Sequence, residues 1–166
     1  MATSDKSFDD LYTKLGELGE GGFGTVFKVK HKATNKLYAA KTMRSDKINS
    51  STRRSLQREI DILKKINHES IVKLHCHFVE NNRISIVMEL CPGGNLRSAI
   101  RKQKQAGKPF SDDQLMPWSQ QILSAVVYLY NNHIIHRDIK PENILLTATL
   151  TIKLTDFGLS RIQGEQ

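Results

Sequence analysis

The stretch that decides the fold runs from His136 to Gly158 and contains two polar clusters separated by an apolar run. The first cluster reads His136-Arg137-Asp138-Ile139-Lys140-Pro141-Glu142-Asn143, and the second reads Asp156-Phe157-Gly158. Between them, Ile144-Leu145-Leu146 and Leu150-Thr151-Ile152-Lys153-Leu154 predict two short strands around a turn. A hairpin of this kind would hold the two polar loops side by side.

The polar residues of these loops are of the types that bind a metal ion and phosphate. Asp138 can accept a proton from an attacking hydroxyl, and Lys140 can neutralise a transferring phosphoryl group. Asn143 and Asp156 supply the hard oxygen ligands that Mg²⁺ prefers. A single tripeptide such as Asp-Phe-Gly is more often an ordinary turn after a strand, so the prediction depends on the ordered set.

Composition sets the class of protein and the classes of ligand. The 166 residues, 39% of them hydrophobic, fall within ordinary single-domain sizes. Lys and Arg number 25 against 17 Asp and Glu, and the resulting charge of +8 suits phosphate-bearing ligands and would also suit nucleic acid. The basic residues are scattered apart from small clusters at Arg53-Arg54 and Arg101 to Lys104. We therefore interpret them as solvated faces and expect no nucleic-acid partner.

Cysteine content and hydropathy bear on the compartment. Cys76 and Cys91 are too few for a disulfide framework, which predicts a reducing compartment. Acidic and basic residues interrupt the amino terminus, and the apolar run from Ile122 to Tyr130 is far shorter than a membrane span. We expect a cytoplasmic protein without membrane association, and leave nuclear or cytoskeletal association open.

A glycine-rich segment lies between two predicted strands, 12–18 and 25–30. It reads Gly19-Glu20-Gly21-Gly22-Phe23-Gly24. Glycines without side chains let backbone amides approach phosphate oxygens closely, although an ordinary glycine-rich turn is the simpler alternative. A dinucleotide-binding fingerprint would need a helix directly after the glycines, and here a strand follows. The segment therefore predicts a hairpin flap.

Three more strands, 37–43, 72–79 and 84–89, and one helix, 51–66, complete the prediction for the first half. The helix has Leu56, Ile60, Leu63 and Ile66 at helical spacing. Glu59 lies at the edge of this apolar stripe, where a carboxylate needs a partner. From the sequence around it, Arg58 or Lys64 could be that partner.

Two helices are predicted between the strands and the polar loops. A short one covers 95–104, and a longer one begins at Ser111 with an apolar face formed by Leu115, Trp118, Ile122, Ala125, Val126 and Leu129. On this face Trp118 is a packing residue. Pro117 lies within the pattern and predicts either a kink or a later helix start.

The ordered set of motifs resembles the catalytic core of eukaryotic protein kinases. His-Arg-Asp, an Asn five residues after the Asp, and Asp-Phe-Gly occur in the family's order. Protein kinases are a standard example of phosphoryl transfer, and the roles given below are those that this resemblance implies. The position of Lys140, two residues after Asp138, resembles the motif of the serine/threonine branch rather than that of the tyrosine branch. The segments 88–96 and 113–118 are most similar to NIMA-related kinases, which more often carry Asp in place of Asn95.

The resemblance implies an α+β fold of the protein-kinase type. It comprises a five-stranded antiparallel N-lobe sheet with one main helix, and an incomplete, mainly helical C-lobe. The implied divisions are an N-terminal lead-in at 1–11, the N-lobe at 12–90 and a partial C-lobe at 91–166. Because a complete kinase domain is larger, we expect these residues to be a truncated form that ends shortly after Asp156-Phe157-Gly158, with the nucleotide pocket kept and activity impaired.

The resemblance also implies the ligands and the roles of individual residues. The cofactors are ATP and Mg²⁺, and the partner is a protein substrate with a Ser or Thr acceptor. Catalytic roles fall to Asp138, Lys140, Lys41 and Glu59, with Lys41 and Glu59 as an ion pair. Metal ligation falls to Asn143 and Asp156. Nucleotide contacts are implied for Leu18, Gly19, Glu20, Gly21, Gly22, Phe23, Gly24, Thr25, Val26, Ala39, Lys41, Met88, Glu89, Cys91 and Leu145.

Two further expectations follow from the resemblance. Because Asn95 carries no charge, a strong preference for arginine upstream of the acceptor is not expected, although Glu142 could supply some. The alternative to a kinase is a nucleotide-binding or regulatory fragment without turnover, of the pseudokinase type. Degenerate motifs would favour that alternative, whereas Lys41, Asp138 and the other implied site residues are all present. No oligomeric state is predicted.

Overall fold

The computed structural model describes residues 6–21, 24–44, 49–80 and 82–164. The chain divides into two compact units. The first consists of Met1–Ile60 and Leu74–Leu90, and the second of Asp61–Lys73 and Cys91–Gln166. The first unit contains α1 (Phe8–Leu11), β1 (Tyr12–Gly21), β2 (Gly24–His31), β3 (Leu37–Arg44), β4 (Leu74–Glu80), β5 (Arg83–Glu89) and the start of α2 (Ser50–Lys65).

The strands of the first unit form one antiparallel sheet in the order β1-β2-β3-β5-β4. This confirms the predicted five-stranded sheet with one main helix. The alternation of side chains along each strand produces two faces. On β3, Tyr38 and Ala40 lie on one face, and Ala39 and Lys41 lie on the other.

One face of the sheet carries a packed aromatic cluster that includes α1. Phe8 of α1 is fully buried, and its ring stacks on Tyr12 at 5.3 Å between centroids and meets Phe78 edge-on at 5.7 Å. A capping box between Ser7 and Asp10 begins the helix. The sequence prediction missed α1 because four residues are too few to show helical periodicity, although the Ser7-x-x-Asp10 spacing was a usable signal.

The second unit contains the remaining elements. They are α3 (Leu96–Gln105), α4 (Asp112–Asn131), β6 (Ile134–Ile135), a 3₁₀ turn (Pro141–Asn143), β7 (Ile144–Leu146), β8 (Ile152–Leu154) and β9 (Arg161–Ile162). β7 and β8 pair antiparallel, so the hairpin predicted between the two polar loops is confirmed. β9 pairs with β6, and the sequence prediction had neither strand because each has only two residues.

The predicted strand 72–79 begins too early. The strand starts at Leu74, whereas Val72 donates its N–H to the Leu154 carbonyl at 2.9 Å, and Leu154 in turn donates to the Ser70 carbonyl at 2.8 Å. An apolar run alone cannot tell which neighbour its backbone will pair with. Val72 therefore belongs to the edge of the β7–β8 hairpin.

Helix α4 runs through Pro117, so the later helix start is wrong. Trp118 packs as predicted, with 6% of its surface exposed, and its indole N–H donates to the Leu150 carbonyl at 2.7 Å. Ala125 and Leu129 are also buried. Leu115 and Val126 of the predicted apolar face are 42% and 36% exposed. Only part of the predicted stripe is therefore core in this structure.

Candidate functional site

Within the first unit, four of the predicted nucleotide residues, from three strands, share one face of the sheet. Val26 is the register partner of Lys41, and Ala39 is the partner of Met88. Because directly opposed residues of antiparallel strands point to the same side, these four side chains lie on the face opposite the Phe8 cluster. The adjoining Glu89 is the register partner of Tyr38. Pairing across the sheet thus brings together residues that are far apart in sequence.

Lys41 and Glu59 form an ion pair within the first unit. The Lys41 Nζ donates to Glu59 Oε2 at 3.0 Å and to Oε1 at 3.2 Å. Helix α2 places Glu59 on its buried side, with only 2% of its surface exposed. Lys41, the partner implied by the kinase resemblance, is thus in contact with Glu59.

The glycine-rich segment forms the far end of the β1–β2 hairpin. Gly19 is opposite Val26, Glu20 is opposite Thr25, and Gly21 is opposite Gly24. A register shift between Glu17 and Gly19 places the 51% exposed Leu18 in a bulge. Gly22 and Phe23, also predicted to contact nucleotide, lie outside the described residues.

Gly24 and Gly19 of this hairpin differ in whether the protein itself requires a glycine. Gly24 has a φ of +148°, and a Cβ there would collide with the Thr42 carbonyl oxygen, so the fold itself requires glycine. At Gly19 an added Cβ would meet nothing within 4 Å. The protein around Gly19 therefore tolerates a side chain, and a requirement for glycine there would have to come from a ligand.

Within the second unit, Asp138, Lys140 and Asn143, which the sequence predicts to act in catalysis or metal binding, form one hydrogen-bonded cluster. Asn143 Nδ2 donates to the Asp138 carbonyl and to Asp138 Oδ2, both at 2.9 Å. Lys140 Nζ lies 2.8 Å from the same Oδ2. The 3₁₀ turn Pro141–Asn143 contributes to this arrangement because its tight winding brings Asn143 back toward Asp138.

These contacts set the protonation state of Asp138. The hydrogen bond from Lys140 and, after it, that from Asn143 lower the pKa of Asp138 below its ordinary value, against an opposing effect of burial. The same contact raises the pKa of the Lys140 ammonium. Asp138 is therefore an ionised acceptor and Lys140 a cation at neutral pH, as proton transfer from a hydroxyl next to a phosphate group would need.

The β7–β8 hairpin brings Asn143 next to the Asp-Phe-Gly loop. Ile144 pairs with Leu154, and the Thr155 N–H donates to the Asn143 carbonyl at 2.9 Å. Asp156 follows directly in a left-handed conformation, φ 64°, and its Oδ1 accepts from the Gly158 N–H at 3.3 Å. The two predicted metal ligands thus leave the same end of one hairpin.

The chemistry of this pair fits Mg²⁺. Both amide hydrogens of Asn143 are directed at Asp138, so Oδ1 is the atom that can face a cation. Mg²⁺ is typically held by one or two carboxylates together with waters and substrate phosphates, so a dense protein cage is not needed. In the part of the chain that the structure describes, no cluster of three or more His, Cys, Asp or Glu residues could hold a metal.

The His136 ring makes hydrogen bonds to the backbone of both polar loops. Its Nε2 lies 3.0 Å from the Thr155 carbonyl, which only accepts, and its Nδ1 accepts the Asp138 N–H at 3.2 Å. The ring is therefore the Nε2–H tautomer, and burial lowers its pKa so that it stays neutral. It also meets Phe157 edge-on at 4.7 Å. The ring thereby fixes the backbone of both polar loops.

Sequence reasoning missed one residue that holds this loop. Ser160 is fully buried, and its hydroxyl donates to the His136 carbonyl at 3.1 Å. Nearby, Arg137 adopts a φ of 67° and donates its Nε–H to the Leu159 carbonyl at 2.6 Å. No sequence signal identifies Ser160, because its role depends on the return of the chain to pair β9 with β6.

The segment that follows β5 is fixed to β7. The Gly93 N–H donates to the Leu146 carbonyl at 2.9 Å, and the Leu146 N–H donates to the Gly94 carbonyl at 2.8 Å. A Cβ on Gly93 would lie 2.7 Å from that Leu146 carbonyl oxygen, so the close approach requires glycine. These bonds set the position of Cys91 relative to Leu145, two residues predicted to contact the nucleotide base.

The family assignment rests on comparison with known proteins as well as on this geometry. A family model described as "Protein kinase domain" matches residues 12–166. The chain therefore belongs to the protein kinase family.

Individual relatives are named as kinases, and two of the following three as serine/threonine-protein kinases. The chain is 44% identical over 151 residues to a probable myosin light chain kinase of Dictyostelium discoideum, covering 90% of this chain and 46% of that protein. It is 36% identical over 153 residues to serine/threonine-protein kinase Nek1 of Mus musculus, covering 92% and 13% respectively. It is 37% identical over 161 residues to serine/threonine-protein kinase 33 of Mus musculus, covering 92% and 32%.

Several matched proteins are Nek kinases, in agreement with the resemblance to NIMA-related kinases. The chain spans less than half the length of the curated relatives described above. Among the described residues, no helix combines the length and the apolar character needed to cross a bilayer.

Proposed function

We propose that this chain transfers the γ-phosphoryl group of ATP to serine or threonine hydroxyls of protein substrates. The observation that carries the proposal is the cluster in which Asn143 and Lys140 both contact Asp138 Oδ2. An ionised carboxylate, a lysine and an amide oxygen beside a second carboxylate are what in-line phosphoryl transfer requires. Family membership supports the same reaction.

In this reaction the acceptor hydroxyl oxygen forms a bond to the γ-phosphorus while the bond from that phosphorus to the β–γ bridging oxygen breaks, and ADP leaves. Asp138 takes the proton of the attacking hydroxyl. Lys140 neutralises charge on the group in transfer. Asn143 holds Asp138 in place through one hydrogen bond to its carboxylate and one to its backbone carbonyl.

Nucleotide and metal would be held by the remaining predicted residues. Lys41, oriented by Glu59, would bind the α- and β-phosphates, and the glycine-rich hairpin would present backbone amides. Asn143 and Asp156 would hold Mg²⁺, which when bound neutralises phosphate charge. Val26, Ala39 and Leu145 are proposed to contact adenine. We also propose a cytoplasmic setting, in keeping with Cys76 and Cys91, which are not joined in a disulfide.

The test compares binding with turnover. Calorimetry would measure Mg²⁺-dependent ATP binding by the 166-residue chain, and transfer of label from γ-³²P-ATP to casein would measure turnover. We expect Asp138→Asn to lose transfer by about 100-fold or more while ATP binding is kept. The matched control is Asp113→Asn, which changes an exposed carboxylate at the start of α4.

Each of the other possible outcomes leads to a different conclusion. ATP binding by the wild-type chain without any transfer would reject turnover and favour the nucleotide-binding alternative. An equal loss of binding and transfer in Asp138→Asn would reject the role of Asp138 as proton acceptor. Loss of transfer in Asp113→Asn would show that the measurement reports a general effect of charge.

A further inference from the structure

Helix α3 carries an exposed basic stripe beside the loop from His136 to Asn143, which we call the catalytic loop. Its ten residues include Arg97, Arg101, Lys102 and Lys104 and no acidic residue. Arg97, Arg101 and Lys104 recur at i, i+4 and i+7, so they lie within about 60° of one another around the helix axis. All three side chains are exposed. We call these three residues the α3 stripe.

One end of the α3 stripe is connected to the catalytic loop within the second unit. Arg97 Nε lies 3.7 Å from Glu142 Oε1, and Glu142 is two residues from Lys140. Asn95, immediately before α3, forms a β-bridge with Leu145 and caps the helix by accepting the Ser98 N–H at 2.8 Å. The stripe therefore starts next to the loop that holds Asp138 and extends away from it.

The charges near this end do not favour a basic ligand. Glu142 is paired with Arg97, so its charge is partly compensated; because this exposed contact is long, at 3.7 Å, Arg97 can also turn to a carboxylate of the ligand. Asn95 is uncharged, and its side-chain oxygen is already used by the helix cap. The cations that remain along α3 favour a ligand rich in carboxylates or phosphates.

We propose that the α3 stripe binds an acidic segment of the protein substrate near the residue to be phosphorylated. The stripe spans about 10 Å, from seven helical steps of 1.5 Å. In an extended peptide, alternate side chains are about 6.6 Å apart, close to the 6 Å rise between Arg97 and Arg101. Acidic residues at alternate positions would therefore meet successive cations. This substrate class rests on the proposed kinase function.

An acidic peptide fits the stripe better than nucleic acid does. A duplex presents its phosphates over a broad surface, and proteins that bind one typically neutralise many of them. The α3 stripe is a single narrow row of cations. Its position beside the catalytic loop also suits a ligand that must place a hydroxyl there.

The experiment measures fluorescence anisotropy of a labelled peptide that has one serine and glutamates at alternate positions. We expect the 166-residue chain to bind this peptide more tightly than the matched peptide with glutamines. The triple variant Arg97→Glu, Arg101→Glu, Lys104→Glu should raise the Kd by about tenfold or more. The control, Arg53→Glu, Arg54→Glu, Lys64→Glu, changes three exposed cations of α2 by the same charge and should shift the Kd less than about twofold.

Other outcomes would overturn the proposal. An equal effect of the control variant would show that net charge alone determines binding. Tighter, stripe-dependent binding of a labelled single-stranded oligonucleotide or of phosphatidylserine vesicles would assign the surface to nucleic acid or membrane. Because charge reversal could unfold α3, the neutral variant Arg97→Gln, Arg101→Gln, Lys104→Gln is tested alongside, with helicity measured by circular dichroism. Unchanged peptide binding by folded neutral and reversed variants would reject the stripe.

The same measurement separates this inference from the proposed function. Binding of the peptide needs no catalysis, so the Asp138→Asn variant should keep it. Absence of phosphate transfer by the wild-type chain, with peptide binding intact, would count against the reaction alone. Transfer to casein without any preference for the glutamate peptide would count against the stripe alone.

Discussion

Lys41 and Glu59 form an ion pair in which the carboxylate is the more deeply buried partner. The Glu59 side chain is 2% exposed and the Lys41 side chain 13% exposed, with 3.0 Å between Nζ and Oε2. A buried charge that loses its partner keeps its desolvation cost without the compensating attraction. This relationship makes the pair a test of stability as well as of nucleotide binding.

We expect Lys41→Met to abolish phosphate transfer and to lower the free energy of unfolding by about 3 kcal/mol, because it leaves the Glu59 carboxylate buried beside an apolar side chain. The double variant Lys41→Met, Glu59→Gln should regain much of that stability and remain inactive. Urea unfolding measures the first effect and casein labelling the second. A single variant as stable as wild type would show that the pair contributes nothing to folding.

The contact between Lys140 and Asp138 predicts a change at acid pH. The hydrogen bond from Lys140 is the largest cause of the lowered pKa of Asp138. Lys140→Met should therefore raise that pKa toward the ordinary value. A lowered carboxyl pKa means that the favourable contact is present above the ordinary pKa and is lost as the pH falls through the folded-state pKa. Titration of the Asp138 carboxyl carbon by NMR measures the change. An identical titration curve in the variant would contradict the assignment, and high salt should reduce the effect because the pair is partly exposed.

His136 predicts that stability depends on pH in the mildly acidic range. Burial lowers its pKa in the folded protein, so the unfolded chain binds this proton more readily. Stability should therefore be fully present above the ordinary histidine pKa of about 6.5 and should fall as the pH drops below it. Chemical denaturation between neutral pH and pH of about 5 measures this slope. His136→Phe keeps an aromatic ring near Phe157 and should flatten the slope, and an unchanged slope would assign the dependence to other groups.

The two glycines of the hairpin predict opposite results. Gly24→Ala should lower the thermal unfolding temperature because its Cβ would collide with the Thr42 carbonyl oxygen. Gly19→Ala should leave that temperature unchanged and weaken ATP binding, since the space around it is open in the protein and a phosphate would have to approach it. Gly16→Ala is the matched control, with open space on the same strand and no predicted role. Full ATP affinity in Gly19→Ala would remove Gly19 from the nucleotide contacts.

Much of the fold could be predicted because it is encoded in local patterns. Strand alternation, the apolar spacing of Leu56 and Ile60 on α2, and the two short runs of the β7–β8 hairpin all appear in the structure. Elements of only two to four residues are too short to show the periodicity of a helix or strand. For that reason α1, β6 and β9 were not predicted. The strand boundary at Val72 was wrong because an apolar run does not show which neighbour its backbone pairs with.

Some features of the candidate site could likewise be predicted from the sequence, and others could not. The order of Asp138, Asn143 and Asp156 along the chain could be read directly, because residue identity and spacing carry the chemistry. Which atoms meet could not be read, because a hydrogen bond between distant residues depends on backbone positions that sequence spacing does not specify. The role of Ser160 and the bridge between Asn95 and Leu145 are of this second kind.

The sequence by itself determined the chemical identity of this protein, namely a set of carboxylates, amide, lysines and glycines in the order of a protein kinase. Only the tertiary structure decided that Glu59 pairs with Lys41, because the sheet and α2 pack to bring them together. It also decided the neutral Nε2–H tautomer of His136, since the acceptor at Thr155 lies nineteen residues away along the chain. Local sequence specifies which groups are present, whereas long-range packing and desolvation determine which of them meet and which charge each one carries.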